Sequence, residues 1–434
     1  MTTAAPSAAY DETAYHEFVE RHYRRNLIAN VLDLGLFTAA LNLVSLATIM
    51  PLLISRLTDS KIIIGLLPAL ANVGYLLPQL LTANYTEGLR RKLPFTAACG
   101  MAERLPYPLI GLATWFLALP APGLALPLIL SLRAGGAVAG GLSTPAWYDL
   151  IAKVIPLRRR GFYSSVGNGL GAILGVAGAA LAGWILGHWP YPQNFAICFF
   201  AAFGLMMASL AVFFLNREPD SPSVKQRAAL GVYLRQLPQV LRRDHNYLHY
   251  LISRATVLLG GMAAGFYMVY GVEQFGLAER HAGTLTALLV GSQALAGLAW
   301  GHLGDRAGHK IVLVGEAVFA ALAASIALIA PSAIWLGVTF ILVGVASSAS
   351  SVSAMNIILE FCPAEDRPTY IGLTNTLLAP FVALGPVLGG ALATWLGYRP
   401  MFVAAIAVAL VGGLLMAAWV REPRRNRNGW AQPA

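Results

Sequence analysis

Six charged side chains interrupt long apolar stretches: Asp33, Glu103, Arg104, Arg133, Arg254 and Glu316. An ionised group at bilayer depth costs about 2.5–3.5 kcal/mol on insertion scales, so each must face a cavity or a partner. A desolvated carboxylate holds its proton more readily, and one beside a guanidinium gives it up more readily. Asp33, Glu103 and Glu316 can therefore be proton carriers or fixed counter-ions, and residue type leaves both open. Glu103 and Arg104 are neighbours that point about 100° apart on a helix, so at most one aims squarely at a central cavity. Asp33 and Arg254 lie at corresponding depths, 221 residues apart, and a pair between them is expected. Arg133, followed by Gly135, Gly136, Gly140 and Gly141, reads either as a coupling residue or as one member of an ion pair. Asn30, Tyr75, Gln79, Tyr107, Trp147, Tyr267 and Gln293 are the polar and aromatic candidates for a cavity lining.

The elements that hold these groups are set by composition. The 434 residues are 57% hydrophobic and 12% charged, against roughly 25% charged in a soluble domain, and mean hydropathy is +0.64. Apolar runs fall at 27–55, 61–83, 94–119, 123–152, 161–188 and 194–215, and again at 247–275, 282–303, 310–330, 332–359, 369–396 and 400–420. At about 20 residues per crossing, these are twelve membrane-spanning helices. The expected division is a tail 1–26, a six-helix bundle 27–215, a connector 216–246, a second bundle 247–420 and a basic tail 421–434. The stretch His16 to Arg25 is amphipathic and reads equally as a surface helix or as a solvated tail. The net charge of +10 comes from Lys and Arg beside the apolar runs, where they orient helices, so nucleic acid is not an expected partner. The opposite connections hold only Arg56, Lys61, Arg280 and Arg399. Both termini are therefore expected on the cytoplasmic side of a multi-pass plasma-membrane protein. Cys99, Cys198 and Cys362 are too scattered for a disulfide framework or a metal site.

The chain also repeats. A shift of 207 residues places Pro156, Arg160, Tyr163, Asn168, Gly178 and Gly183 on Pro363, Arg367, Tyr370, Asn375, Gly385 and Gly390. Arg217-Glu218-Pro219, after the sixth run, recurs as Arg421-Glu422-Pro423 after the twelfth.

Between the eighth and ninth runs stands GHLGDRAGHK, Gly301 to Lys310. Gly301, Asp305, Arg306, Gly308 and Lys310 resemble the loop signature of the major facilitator superfamily, G-x-x-x-D-[RK]-x-G-[RK]-[RK], with His309 at one basic position. The first-half copy, from Ala83 to Lys92, departs further, with Glu87 for the Asp and Arg91 among its cations. The resemblance implies an all-α membrane fold of two pseudo-symmetric six-helix bundles that rock about a central site. It implies that the two loops latch one arrangement, with Asp305 at the positive end of the ninth helix and the second loop dominant. The Gly385-Pro386-x-x-Gly389-Gly390 pattern resembles an antiporter signature of the same family, on helix 11 rather than helix 5.

The function implied is secondary transport of a small polar or amphipathic solute by alternating access, by a monomer in the lipid bilayer, with H+ as a candidate coupling ion. No Walker loop, hydrolytic elbow or metal-ligand pattern occurs, so neither an enzyme nor a cofactor is expected. A non-transporting sensor or scaffold, or a membrane-embedded transferase, are the competing classes. Three arginines balance three acids, which leaves the sign of the solute open.

Overall fold

Backbone in lipid must satisfy its own hydrogen bonds, and every described apolar run does so as helix. The computed structural model describes residues 12–220, 244–362 and 367–426. The spans are α1 in two segments, Glu12–Leu43 and Ile49–Leu57; α2, Lys61–Glu87; α3 in two segments, Leu93–Arg104 and Pro106–Leu117; α4, Pro122–Val154; α5, Arg160–His188; and α6, Gln193–Phe213. The second series is α7 in two segments, His245–Gly260 and Tyr267–Phe275; α8, His281–Ala307; α9, His309–Ile329; α10, Trp335–Phe361; α11, Arg367–Trp395; and α12, Tyr398–Trp419.

Among the described residues, eleven helices are long and apolar enough to cross a membrane. The remaining crossing is α3. Its ladder is broken because Pro106 has no N–H to donate, while Leu105 keeps helical dihedrals of −57° and −33°. In α1, Pro51 enforces a similar interruption, and Ser45 stitches the gap: its carbonyl accepts from Met50 N–H at 2.9 Å and its Oγ from Ala47 N–H at 3.2 Å. Helix α1 starts at Glu12, so His16 to Arg25 continues the first span as helix. Residues 1–11, 221–243 and 427–434, in the tails and the connector, lie outside the described residues.

Within the first half α1 packs on α5 and α6, and α2 on α4; within the second, α7 packs on α12, and α9 on α10 and α12. The halves meet where α2 crosses α11 and where α5 crosses α8. Gly183 there lies against Gly283, the close approach that small residues permit between membrane helices.

The apolar core is not distributed evenly along the spans. At the end away from the termini, one cluster runs through both halves, joining Leu52, Ile110 and Phe199 to Phe266, Phe340 and Phe402. At the terminal end each half has its own core, Leu150, Val154 and Phe213 in the first and Tyr247, Tyr250 and Leu313 in the second. Polar contacts between the halves follow the fused end: Thr48 to Thr286 at 2.5 Å, Arg56 to Glu279 at 2.5 Å, Asn194 to Glu279 at 2.8 Å and Lys61 to Glu273 at 3.2 Å.

Candidate functional site

A cavity of about 320 Å³ lies inside the first half, walled by α1, α2, α3, α4 and α6. Asp33, Glu103 and Arg104 line it together with Phe37, Tyr75, Trp147 and Tyr148. Arg104 makes its hydrogen bonds with partners other than Glu103. Its Nε donates to Met206 O at 2.9 Å, Nη1 to Gly100 O at 2.9 Å and Nη2 to Ser209 Oγ at 3.1 Å. Ser209 in turn donates to Asp33 Oδ1 at 2.5 Å, and the Arg104 to Asp33 separation is 3.8 Å. The Arg104 guanidinium also lies 4.8 Å from the centre of the Phe37 ring, within cation–π range. Arg104 and Asp33 thus tie α3, α6 and α1 together.

Glu103 sits differently. No hydrogen bond to its carboxylate is recorded among the described residues, and it rests against Gly140 of α4, where a Cβ would collide with the carboxyl. The glycine after Arg133 therefore makes room for the acid. Arg133 is half-buried outside this lining, with its Nε buried and without a hydrogen-bond partner.

In the second half Arg254 of α7 meets Glu316 of α9 at 2.5 Å and Ser350 of α10 at 2.6 Å. Both charged side chains are buried. The expected Asp33 to Arg254 pair is therefore corrected. Each group finds its partner within its own half, because depth along a helix says nothing about the direction in which a side chain leaves it. The pattern is nonetheless symmetric: the first and third helices of each half are bridged, with the signs exchanged.

The cavity candidates divide. Tyr75 and Trp147 line the cavity, and Tyr75 OH accepts from Thr144 Oγ1 at 3.1 Å. Asn30 does not; it is buried, donating to Asn216 Oδ1 at 2.6 Å. Tyr107 and Tyr267 are core side chains, packed on Phe199 and Phe402. Gln79 donates to the Tyr75 carbonyl at 3.0 Å, and Gln293 is half-buried on α8; neither lines the cavity.

A family model described as Major Facilitator Superfamily matches residues 32–272 and 250–432. The chain belongs to the major facilitator superfamily. A multi-drug resistance efflux pump PmrA homolog of Lactococcus lactis is 27% identical over 147 residues, 34% of this chain and 36% of the relative. The tetracenomycin C resistance and export protein of Streptomyces glaucescens is 31% identical over 132 residues, 30% of this chain and 24% of the relative. An uncharacterized MFS-type transporter of Mycobacterium tuberculosis is 29% identical over 157 residues, 35% of this chain and 23% of the relative. The matches span less than half the length of these curated relatives. Among solved structures, the nucleoside transporter NupG superposes with a TM-score of 0.69 at 13% identity, covering 92% of this chain and 100% of that one. A D-xylose-proton symporter gives 0.66 at 14%, covering 94% and 99%. Both show the superfamily's twelve-helix fold.

The superfamily loop is smaller than its motif. Helix α8 continues through Ala307, so the turn is Gly308 alone, at φ +96°. Gly301 has nothing within 4 Å of where a Cβ would stand, and so permits no close approach there. Asp305 and Arg306 are exposed. The Asp305 carbonyl accepts from Arg424 Nη1 at 2.6 Å, and Lys310 Nζ donates to Ala417 O at 2.7 Å. The acid at the start of α9 is not Asp305 but Glu422, which accepts from Lys310 N–H at 3.2 Å and fills the space beside Gly308. In the first half Glu218 does the same for α3. It accepts from Lys92 N–H at 2.7 and 2.9 Å and from Leu93 N–H at 2.8 Å, and pairs with Lys153 Nζ at 2.5 Å. The Glu87 side chain lies outside the described residues, and Arg91 pairs with Asp220 at 2.6 Å. The Arg91 guanidinium beside Asp220 holds that carboxyl below its ordinary value. Glu218 and Glu422 are the residues that sequence reasoning passed over. Their signal was the repeated Arg-Glu-Pro after spans six and twelve.

Proposed function

We propose that this chain is a secondary active transporter that exports amphipathic organic cations in exchange for protons, by alternating access. The observation that carries the reading is the first-half cavity, where Glu103, a carboxylate with no hydrogen bond recorded among the described residues, lies among aromatic side chains. Aromatic faces hold flat apolar cations without demanding one shape. Arg104 is hydrogen-bonded to Ser209 and two carbonyls and lies 3.8 Å from Asp33. That leaves Glu103, with Arg104 and Arg133 as its neighbouring charges, as the cavity acid with no recorded hydrogen bond or ion pair among the described residues.

A proton and a cation compete for such a carboxylate. Proton entry would release the solute and solute entry would release the proton, which is the exchange an exporter requires. Asp33 serves as a positioning residue that holds Arg104, and Arg254 with Glu316 braces the second half. The separate cores at the terminal end and the fused core at the other support a state open toward the termini. The two named export proteins among the relatives favour export over uptake.

The test is efflux of a cationic dye such as ethidium from proteoliposomes under an imposed pH gradient. The expected result is gradient-dependent dye movement, with proton movement in the opposite direction. Dye movement indifferent to the gradient, or transport of anions alone, contradicts the reading.

A further inference from the structure

A second cleft, of about 570 Å³, lies where α1, the connection from α2 to α3 and the end of α6 come together. It takes no part in the cavity above. Arg25, Arg91 and Arg217 line it with His22, and the acid in its lining is Glu218. That acid is unavailable to the arginines, being buried and held by Lys153 and the N–H groups of Lys92 and Leu93. Arg91 has its own carboxylate in Asp220.

Arg25 and Arg217 differ from Arg91: no carboxylate contact to either is recorded among the described residues. Arg25 donates only its Nε, to Leu215 O at 2.8 Å, which leaves the terminal guanidinium nitrogens for another acceptor. The Arg217 backbone is clamped from both sides by Asn26, which accepts from Arg217 N–H at 2.8 Å and donates to its carbonyl at 3.0 Å. Its side chain is exposed. Two guanidinium groups in one cleft with no recorded carboxylate contact, one held through its Nε and the other carried on a clamped backbone, can together take a phosphate.

The remaining lining selects the kind of phosphate. Phe18, Leu93 and Phe214 share the cleft, and Phe214 and the adjacent Leu215 are 55% and 47% exposed at the end of a membrane span. A free anion has no use for such a wall, whereas an acyl chain does. The connector 221–243 carries five cations and no acid, so its charge does not suit the cleft.

We propose that this cleft binds the headgroup of an anionic phospholipid, with Arg25 and Arg217 on the phosphate and the acyl chains along Phe18 and Phe214. Basic pockets beside membrane helices are suited to such headgroups.

The experiment is native mass spectrometry of the purified full chain in detergent, titrated with phosphatidylglycerol or phosphatidylcholine. Phosphatidylglycerol is expected to bind more tightly. Arg217→Gln should weaken it about fivefold, the effect of one cation near an anionic headgroup, and Arg217→Lys should retain most of the affinity. Arg25→Gln with Arg217→Gln should remove the preference for the anionic lipid. Equal binding of the two lipids overturns the proposal, as does phosphatidylglycerol binding unmoved in Arg217→Gln, a variant that loses no recorded side-chain bond. Displacement of the lipid by millimolar inorganic phosphate overturns the lipid assignment in favour of a free anion.

Discussion

The two halves of this protein bridge the same helices with opposite signs and put the bridges to different use. In the first half Asp33 and Arg104 border a cavity and leave a second acid, Glu103, facing into it. In the second half Arg254 and Glu316 close on each other at 2.5 Å with Ser350 completing the set. A buried pair that is fully matched resists change, because removing either partner strands the other in low dielectric. An acid at a cavity wall can exchange its partner. On the function proposed above, the two halves divide the work between a working charge, Glu103, and a brace, Arg254 with Glu316.

The contrast extends to the loops. Glu218 satisfies two N–H groups at the start of α3 and binds Lys153; Glu422 satisfies one at the start of α9, at 3.2 Å. One oxygen of Glu422 and one of the neighbouring Glu360, two carboxyls that act on each other, are buried with no geometric hydrogen bond recorded among the described residues. The first-half clasp should therefore be the stronger, the reverse of the dominance expected of the second loop, because Glu218 has more partners than Glu422. The largest expected effect is that of Glu218→Ala, which removes the buried carboxylate from Lys153 and from two N–H groups and leaves Lys153 only the Arg90 carbonyl. It should lower unfolding stability by about 3 kcal/mol. Glu422→Gln should change stability by less than about 1 kcal/mol. Unfolding of both variants in mixed micelles compares them directly, and equal losses break the contrast.

Next in size is Gly308→Ala. A backbone at φ +96° is strained for any side chain, and a Cβ there meets the Glu422 carboxyl. A loss of about 1–3 kcal/mol is expected. Gly88, in the first-half loop, has φ −79° and should tolerate Ala with little loss. The same unfolding assay reads both.

The smallest effect is on pH dependence. Burial, aided by Glu360, pushes the Glu422 carboxyl above its ordinary value of 4.5, against the Lys310 N–H bond, which lowers it. A carboxyl raised on folding contributes stability below its unfolded pKa and loses that contribution as pH rises through the folded one. Thermal stability should therefore fall as pH is raised from about 4.5 through the Glu422 transition. Glu422→Gln, a stand-in for the protonated form, should flatten that decline. An unchanged slope in the variant removes Glu422 from the explanation.

Much of this was legible in the residues. Lipid forces apolar runs into helices, so the twelve spans, the duplication and the superfamily loop could be read directly, and so could the six membrane charges. The pairing of those charges could not, because Asp33 and Arg254 match in depth while their partners are set by the faces of α1 and α7. The role of Glu218 was hidden for a related reason. It lies 125 residues from Leu93 in sequence, and its repeat could be counted without revealing what it touches. The loop motif was legible as a pattern, but the packing of Glu422 against Gly308 decides that only one of its glycines makes a turn.

The most direct test of the central claim is proton release on binding of a cationic solute. It is measured with a pH dye on purified wild type, Glu103→Gln and Glu316→Gln in weakly buffered detergent. The account predicts release from wild type and from Glu316→Gln wherever the latter remains folded, and none from Glu103→Gln. Undiminished release from Glu103→Gln would contradict it and would move the working charge out of the first-half cavity.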